Sequence, residues 1–304
     1  MDISEMEKNF VAPTYDRESL ELVEGEGMKV EDSDGNEYLD FVGGIAVCAL
    51  GHSHPAVSGA IREQGRKLMH VSNLYYIPNQ MRLAKKLSEV TPKGIRKFFF
   101  CNSGTEAVES ALKLAVKHTE NKKILALEGS FHGRTSASLG LTWEEKYREP
   151  FSSLISPNFD FIPRNDLEAA RESIDEDTAA IIVEPIQGET GINPMTKGFL
   201  AGLRTICDEE DCLLIFDEVQ TGIGRTGNGF PIGCMGAKKE IMDSFSPGDH
   251  ASTFGGNPLA CAVGKTVLET IERKDILSNV KRVGEHFKEG LRKLEKSYDI
   301  IRDV

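Results

Sequence analysis

Four short segments carry residue types suited to chemistry. Three follow an apolar run, and each opens a turn or a helix. The first is Cys101-Asn102-Ser103-Gly104-Thr105-Glu106, after Phe98-Phe99-Phe100. Val108, Ala111, Leu112 and Ala115 predict the buried face of a helix that follows. Ser103 and Glu106 fit a capping box, which satisfies the first free amides of that helix. The segment also suits an anion: Gly104 lets a ligand approach the backbone, and free N–H groups plus the helix dipole favour phosphate.

The second segment is Gly129-Ser130-Phe131-His132-Gly133-Arg134-Thr135, after Ile124-Leu125-Ala126-Leu127. Phe131 fits the core, or a stack on a planar ligand. His132 reads as a satisfied turn residue. Arg134 could clamp a carboxylate with its planar fork, although spacing alone favours a solvated side chain. The third is Ile215-Phe216-Asp217-Glu218-Val219-Gln220. A carboxylate at the edge of an apolar strand needs a partner. Asp217 fits a cap or turn, an acceptor for a protonated ring nitrogen, or a metal ligand with Glu184. No convergent His supports the metal. The fourth is Ser252-Thr253-Phe254-Gly255-Gly256-Asn257-Pro258. Its hydroxyls and glycines suit phosphate, and Asn257-Pro258 also reads as a helix start.

The elements that must position these segments alternate. Apolar runs at 124–127, 179–184 and 212–217 read as buried strands, with helices between several of them, including 198–210. That pattern predicts an α/β fold with a mainly parallel sheet covered on both faces. Reactive groups in such sheets gather at the C-terminal strand ends, where the first three segments fall. Residues 20–41 read instead as strands with turns, with Asp34-Gly35 as a hairpin. Residues 275–297 read as a strongly amphipathic helix.

Composition narrows the function. Thirty-six Lys plus Arg against 48 Asp plus Glu give a net charge of −12, which argues against a broad nucleic-acid or anionic-membrane surface. No apolar run approaches the roughly 18 residues that span a bilayer, and the first residues, MDISEMEKNF, carry no secretion signal. Cys48, Cys101, Cys207, Cys212, Cys234 and Cys261 form no CxxC pair, so reduced thiols in a cytoplasmic protein are expected and metal ligation is not.

In order, YLDFVGGIAV, LGHSHPAV, HVSNLYY, FFCNSGTEAVESALKLA, GSFHGRT, EPIQGE, IFDEVQTGIGRTG, GFPIG and STFGGNPLA resemble the class III aminotransferases. These are pyridoxal 5'-phosphate (PLP) enzymes of fold type I. GGIAV, ALGHSHP and SNLYY look most like the acetylornithine branch; ornithine, 4-aminobutyrate and carrier-bound lysine aminotransferases are near relatives. The resemblance implies a large PLP-binding domain over 46–262. It implies an incomplete small α+β domain from both chain ends, 1–45 and 263–304, the latter opening with a linking helix. It assigns Ser103, Gly104 and Thr105 to the PLP phosphate, Phe131 to a stack on the ring, Asp217 to the ring nitrogen and Gln220 to the ring hydroxyl side. Ser252 and Thr253 would reach the phosphate of the neighbouring subunit's cofactor, which implies a homodimer. Arg134 would hold the substrate carboxylate, and Glu189 would gate between an amino-acid substrate and a 2-oxo acid.

The sequence departs from the family at one point. Relatives carry a strand and a Schiff-base lysine between the GRTG and GFPIG strings, whereas here Asn228 is followed at once by Gly229. Lys238, Lys239 and Lys265 do not match the family position. Relatives also continue past the position of Val304. Three origins stay open: omission of a mobile loop and tail, a deletion, or natural loss. The intact Asp217 and Arg134 favour omission, which predicts a wide spatial gap between Asn228 and Gly229. The main expectation is amino transfer from N-acetylornithine or a similar ω-amine to 2-oxoglutarate. The rivals are an inactive relative that binds PLP or a phosphorylated ligand, another class III aminotransferase, and an aminomutase or decarboxylase on the same fold.

Overall fold

The computed structural model describes residues 2–222 and 227–301. Helix α1 (Ile3–Phe10), capped by Asp2, precedes three antiparallel strands: β1 (Leu22–Glu26), β2 (Lys29–Asp32) and β3 (Glu37–Leu39). The expected turn at Asp34-Gly35 joins β2 to β3. Asp32 holds it by accepting the N–H groups of Asp34 and Asn36 and the Tyr38 hydroxyl. The chain then forms α2 (Gly43–Ala46), α3 (Pro55–Gly65) and α4 (Pro78–Val90).

From there strands and helices alternate. Strand β4 (Ile95–Cys101) runs into α5 (Gly104–Thr119), followed by β5 (Lys123–Leu127), α6 (Ser136–Gly140), α7 (Glu145–Arg148), β6 (Phe159–Ile162) and α8 (Leu167–Ser173). Next come β7 (Thr178–Val183), the small hairpin β8 (Ile186–Gln187) and β9 (Asn193–Pro194), α9 (Lys197–Glu209) and β10 (Leu213–Phe216). The chain ends in β11 (Gly233–Lys238), α10 (Lys239–Met242), α11 (Pro258–Arg273) and α12 (Ile276–Glu295).

The expected parallel sheet is present in the order β10-β7-β5-β6. Every residue of β7 is buried, as both-face cover requires. Leu125, Leu127, Ile181 and Val183 meet α9 through Phe199, Leu203 and Ile206 on one side. Ile124, Ala126 and Ile182 meet Val108 and Leu112 of α5 on the other. Each fully buried Leu or Ile contributes about 1.5–3 kcal/mol. The sheet is not continuous, however. Among the described residues strand β4 pairs only with β11, antiparallel, as a separate two-stranded unit. Helix α5 covers both units, because Ala111 and Leu114 also pack with Met235 and Ala237 of β11.

The expected gap between Asn228 and Gly229 is not found. The Phe230 N–H donates to the Gly227 carbonyl at 2.9 Å, closing a tight turn through Asn228 and Gly229. Asn228, in the left-handed region at φ 45°, ties this turn down. Its Oδ1 accepts the Leu50 N–H at 2.6 Å and its Nδ2 donates to the Gly51 carbonyl at 3.0 Å. The chain is therefore continuous here while the sheet beside it stays open.

Helix α11 has Asn257 as its cap and Pro258 in its first turn, the geometry its sequence implied, and packs against α3 and α4. The domain boundary expected at 262/263 falls inside it. Helix α12 has the predicted apolar stripe, but Leu277, Val280, Val283, Phe287 and Leu294 are all exposed. The six thiols are free. Among the described residues no helix is long and apolar enough to cross a membrane, and no three His, Cys, Asp or Glu side chains converge as for a metal ion.

Candidate active site

The C-terminal ends of β4, β5, β7 and β10 bring three of the four segments, and Glu184, to one place. Ser103 caps α5, its Oγ accepting the Glu106 N–H at 3.4 Å. The capping box is only half formed. Glu106 does not return to Ser103; its carboxylate accepts the N–H of Asn102 at 2.6 Å and the Asn102 side-chain amide at 3.0 Å. That amide also donates to Ser252 Oγ at 3.2 Å, so the fourth segment reaches the same helix start within one chain. Thr253, beside it, is exposed.

Two glycines permit close approach of neighbouring loops. A Cβ on Gly104 would lie 2.6 Å from Val219 Cγ1, so only glycine lets the segment after β10 come this near the start of α5. Gly133 has φ 136°, and a Cβ there would lie 2.3 Å from Thr105 Oγ1. The Thr105 hydroxyl bonds Thr135 Oγ1 at 2.8 Å and Ser138 Oγ at 2.6 Å. The start of this 16-residue helix is thus lined by hydroxyls and amides, the donor set that an anion requires.

Asp217 sits at the floor, 7% exposed. Its Oδ1 accepts the Val219 N–H at 3.0 Å and its Oδ2 lies 2.7 Å from His132 Nδ1. His132 is therefore no ordinary turn residue. Its ring is buried and its Nε2 has no hydrogen-bond partner, so Nδ1 is the nitrogen that donates. A carboxylate has about four lone-pair sites, so Asp217 keeps acceptor capacity for a further donor. Glu184, at the end of β7, is 5% exposed, and its Oε2 accepts the Phe131 N–H at 3.0 Å. Burial pushes its carboxyl up to about 7, against the pull of His132 and the Phe131 amide. Glu184 thereby fixes the backbone of the half-buried Phe131.

Arg134 and Glu189 meet through a residue that their spacing did not suggest. The Arg134 guanidinium lies 3.7 Å from the Tyr147 ring centroid and 5.3 Å from that of Phe131. The Tyr147 hydroxyl donates to Glu189 Oε1 at 3.3 Å. Gln220 lies against Gly188, whose added Cβ would come within 3.3 Å of Gln220 Nε2, so it abuts the loop that carries Glu189. Tyr147 was not marked by the sequence, and His132 and Glu184 were marked for other roles, a turn residue and a possible metal ligand. A His or Glu next to an apolar strand end was the only available signal, and Tyr147 had none.

The lysines lie elsewhere. Lys238 pairs with Ile95 at the end of β11 remote from Cys101, about 20 Å of strand away from the α5 cap. It ends that strand. Lys239 pairs with Asp243, and Lys265 pairs with Glu269 on α11. Lys146 reaches the outer side of the group at 4.9 Å from the Tyr147 ring, on a well-exposed side chain paired with Glu144.

Comparison with known proteins places this arrangement. The family model described as aminotransferase class-III matches residues 10–230 and 227–304. The acetylornithine aminotransferase of Methanopyrus kandleri is 45% identical over 326 aligned residues, which cover 100% of this chain and 83% of that protein. The crystal structure of acetylornithine aminotransferase from Elizabethkingia anophelis superposes with a TM-score of 0.82 at 32% identity, over 97% of this chain and 79% of that one. Ornithine aminotransferase from Toxoplasma gondii, whose structure has partial occupancy of PLP at the active site, gives 0.89 at 30% identity, over 95% and 75%. By its matched length, its identities and its strand-end geometry, this chain belongs to the class III aminotransferases, a family of PLP-dependent enzymes.

Proposed function

We propose that the strand-end cluster binds PLP and serves amino transfer between N-acetylornithine, or a similar ω-amine, and 2-oxoglutarate. One observation carries the reading: Asp217, Phe131 and the α5 start converge around a floor whose carboxylate is oriented from behind by His132. The residues present fit a ring and a phosphate. The cleared space at Gly104 and Gly133 suits the phosphate end, with Ser103 and Thr105 as donors. The spare acceptor capacity of Asp217 suits a ring N–H. When bound, PLP supplies a ring that takes up the electrons left when a substrate carbon loses its proton. Asp217 would hold the proton on the ring nitrogen, and His132 would keep that carboxylate aimed. Phe131 would cover the ring, and Gln220 would approach its hydroxyl side. Arg134 would take a substrate carboxylate through two parallel hydrogen bonds, and Glu189 would gate between the two substrates.

The reading includes a homodimer. Leu74, Tyr75, Tyr76 and Phe254 are exposed together beside the site, where Asn73 donates to the carbonyls of Ser252 and Gly255. Burying them against a second copy would bring Ser252 and Thr253 to the subunit boundary. Large exposed apolar patches of this kind mark interaction surfaces. A cytoplasmic setting fits the six free thiols. The small domain from both chain ends fits the antiparallel β1–β3 unit and the apolar stripe of α12.

A second reading is favoured by the placement of the lysines: the chain holds PLP but does not turn it over. One experiment separates the two. Purified protein is incubated with PLP, N-acetylornithine and 2-oxoglutarate, and glutamate formation is measured beside equilibrium PLP binding. Glutamate formation supports the first reading. Saturable PLP binding without glutamate supports the second. Absence of both overturns the site.

A further inference from the structure

Tyr147 stands between two opposite charges that do not pair with each other. It lies on α7, which is seated from both ends. The Trp143 N–H donates to the Ser130 carbonyl at 2.8 Å, and Trp143 and Arg148 both pack on the Phe161 ring of β6. Phe131 meets the Tyr147 ring edge-on, with centroids 6.5 Å apart at 87°. The half-buried ring is thereby held in place, while Arg134 and Glu189 beside it are exposed.

Arg134 is held by rings alone. At 3.7 Å from the Tyr147 centroid its guanidinium lies over the ring face, and among the described residues it makes no hydrogen bond and no ion pair. Stacking uses the flat face of a guanidinium and leaves its five in-plane N–H donors open. Glu189 is held by the hydroxyl alone, since among the described residues the Tyr147 O–H is its one hydrogen-bond partner. Lys146, the other cation near this ring, pairs with Glu144 instead. One tyrosine thus carries a cation on its face and a carboxylate on its hydroxyl, and keeps the two apart.

We infer that Tyr147 is the positioning residue of the carboxylate clamp. Its face presents Arg134, and its hydroxyl holds Glu189 off the guanidinium. The fork therefore stays open for the carboxylate of an incoming amino acid or 2-oxo acid. Without the hydroxyl, Glu189 pairs with Arg134 and competes with the ligand. The inference rests on the reading of Arg134 as the carboxylate-binding group, and Tyr147 itself touches no reacting atom.

The probe is glutarate, a dicarboxylate with no amine or oxo group to react. Its binding to the full chain is measured by calorimetry at low salt with PLP present, and PLP binding and thermal unfolding are recorded on every sample. Tyr147→Phe should weaken glutarate binding about fivefold, because an exposed ion pair must now be broken first. Glu189→Gln in that same chain should restore it. Tyr147→Leu also removes the stacking face and should weaken binding about twentyfold, restored only in part by Glu189→Gln. Arg134→Ala should weaken binding at least as much as any Tyr147 variant. A tyrosine that served only the fold would give a loss that Glu189→Gln leaves untouched, so an unrestored Tyr147→Phe overturns the inference. A Tyr147→Phe chain that binds glutarate like the unaltered one overturns it too. If PLP binds but glutarate does not, or binds regardless of Arg134→Ala, the inference falls and the PLP site stands. Binding of neither overturns the PLP reading and the inference together.

Discussion

The two ends of the candidate site are built differently. At the α5 start, the hydroxyl of Thr105, the side chains of Asn102 and Glu106, and the buried pair Asp217 and His132 all have partners within the chain. Each hydrogen bond fixes a donor or acceptor that a ligand could use, so this end is pre-organised. At the β10–β11 junction the chain turns sharply through Asn228, and two strand edges stay open. A chain can thus keep the groups that bind and orient a ligand while lacking the element that would close the sheet. The two tasks are physically separable because α5 supports both halves.

The largest effect should come from closing the junction. Inserting a lysine-bearing segment of the kind the family resemblance implies between Asn228 and Gly229 should raise glutamate formation by a factor on the order of 10²–10⁴, the usual worth of a positioned proton-transferring group. The same insertion with its lysine replaced by alanine should stabilise the fold without that gain; urea titration beside the glutamate assay reads both.

The pre-organised end is tested next. Asp217→Ala leaves His132 Nδ1 buried without its partner, and should cost about 3 kcal/mol in urea unfolding. Asp217→Asn keeps an acceptor for His132. It should cost much less stability yet weaken PLP binding, as equilibrium dialysis would show.

Glu184 gives a comparable effect as a pH dependence. Its carboxyl is raised from 4.5 to about 7 in the fold, so the folded state binds more protons than the unfolded state between those values. Unfolding free energy should therefore fall as pH rises from about 4.5 through 7, by about 3 kcal/mol if nothing relaxes. Glu184→Gln, which can still accept the Phe131 N–H, should remove that slope. Histidines such as His54 and His250, whose burial lowers them, act in the opposite sense, so the difference between the two proteins is the quantity to measure.

Smaller effects bracket the comparison. Asn228→Ala loses two hydrogen bonds and places alanine at positive φ, for about 2 kcal/mol in thermal unfolding. Arg134→Ala should leave stability within about 1 kcal/mol, since Arg134 is itself exposed and its contacts are with the rings of Tyr147 and Phe131. It should instead raise the KM for carboxylate substrates.

What the sequence made legible was local. The β4–α5 passage, the Asp34-Gly35 turn and the start of α11 follow from a few adjacent residues, and each formed where caps, glycines and periodicity put it. Resemblance in ordered motifs carried Asp217, Phe131 and Arg134 to one place. What escaped were meetings between residues far apart in the chain. The bond of His132 to Asp217 and the bridge of Tyr147 between Arg134 and Glu189 depend on which loops share a strand end. The half-formed capping box failed for a similar reason: Asn102 offers the Glu106 carboxylate two donors, which outcompete the single Ser103 amide. The expected gap at Asn228–Gly229 followed from the idea of omitted residues, yet Asn228 and Gly229, both at positive φ, close a tight turn there.

The order of pairing in the sheet also sets an order of assembly during synthesis. All four parallel strands lie between Lys123 and Phe216, so that unit is complete once Phe216 has left the ribosome. Strand β4 is made earlier but finds its only partner in β11, and Asn102 waits for Ser252. Contacts of such separation form late. A ribosome-tethered chain released to residue 222 should resist protease across β5–β7 while β4 is still cut. The start of α5 would thus be translated well before Ser252 and be among the last parts to acquire its shape.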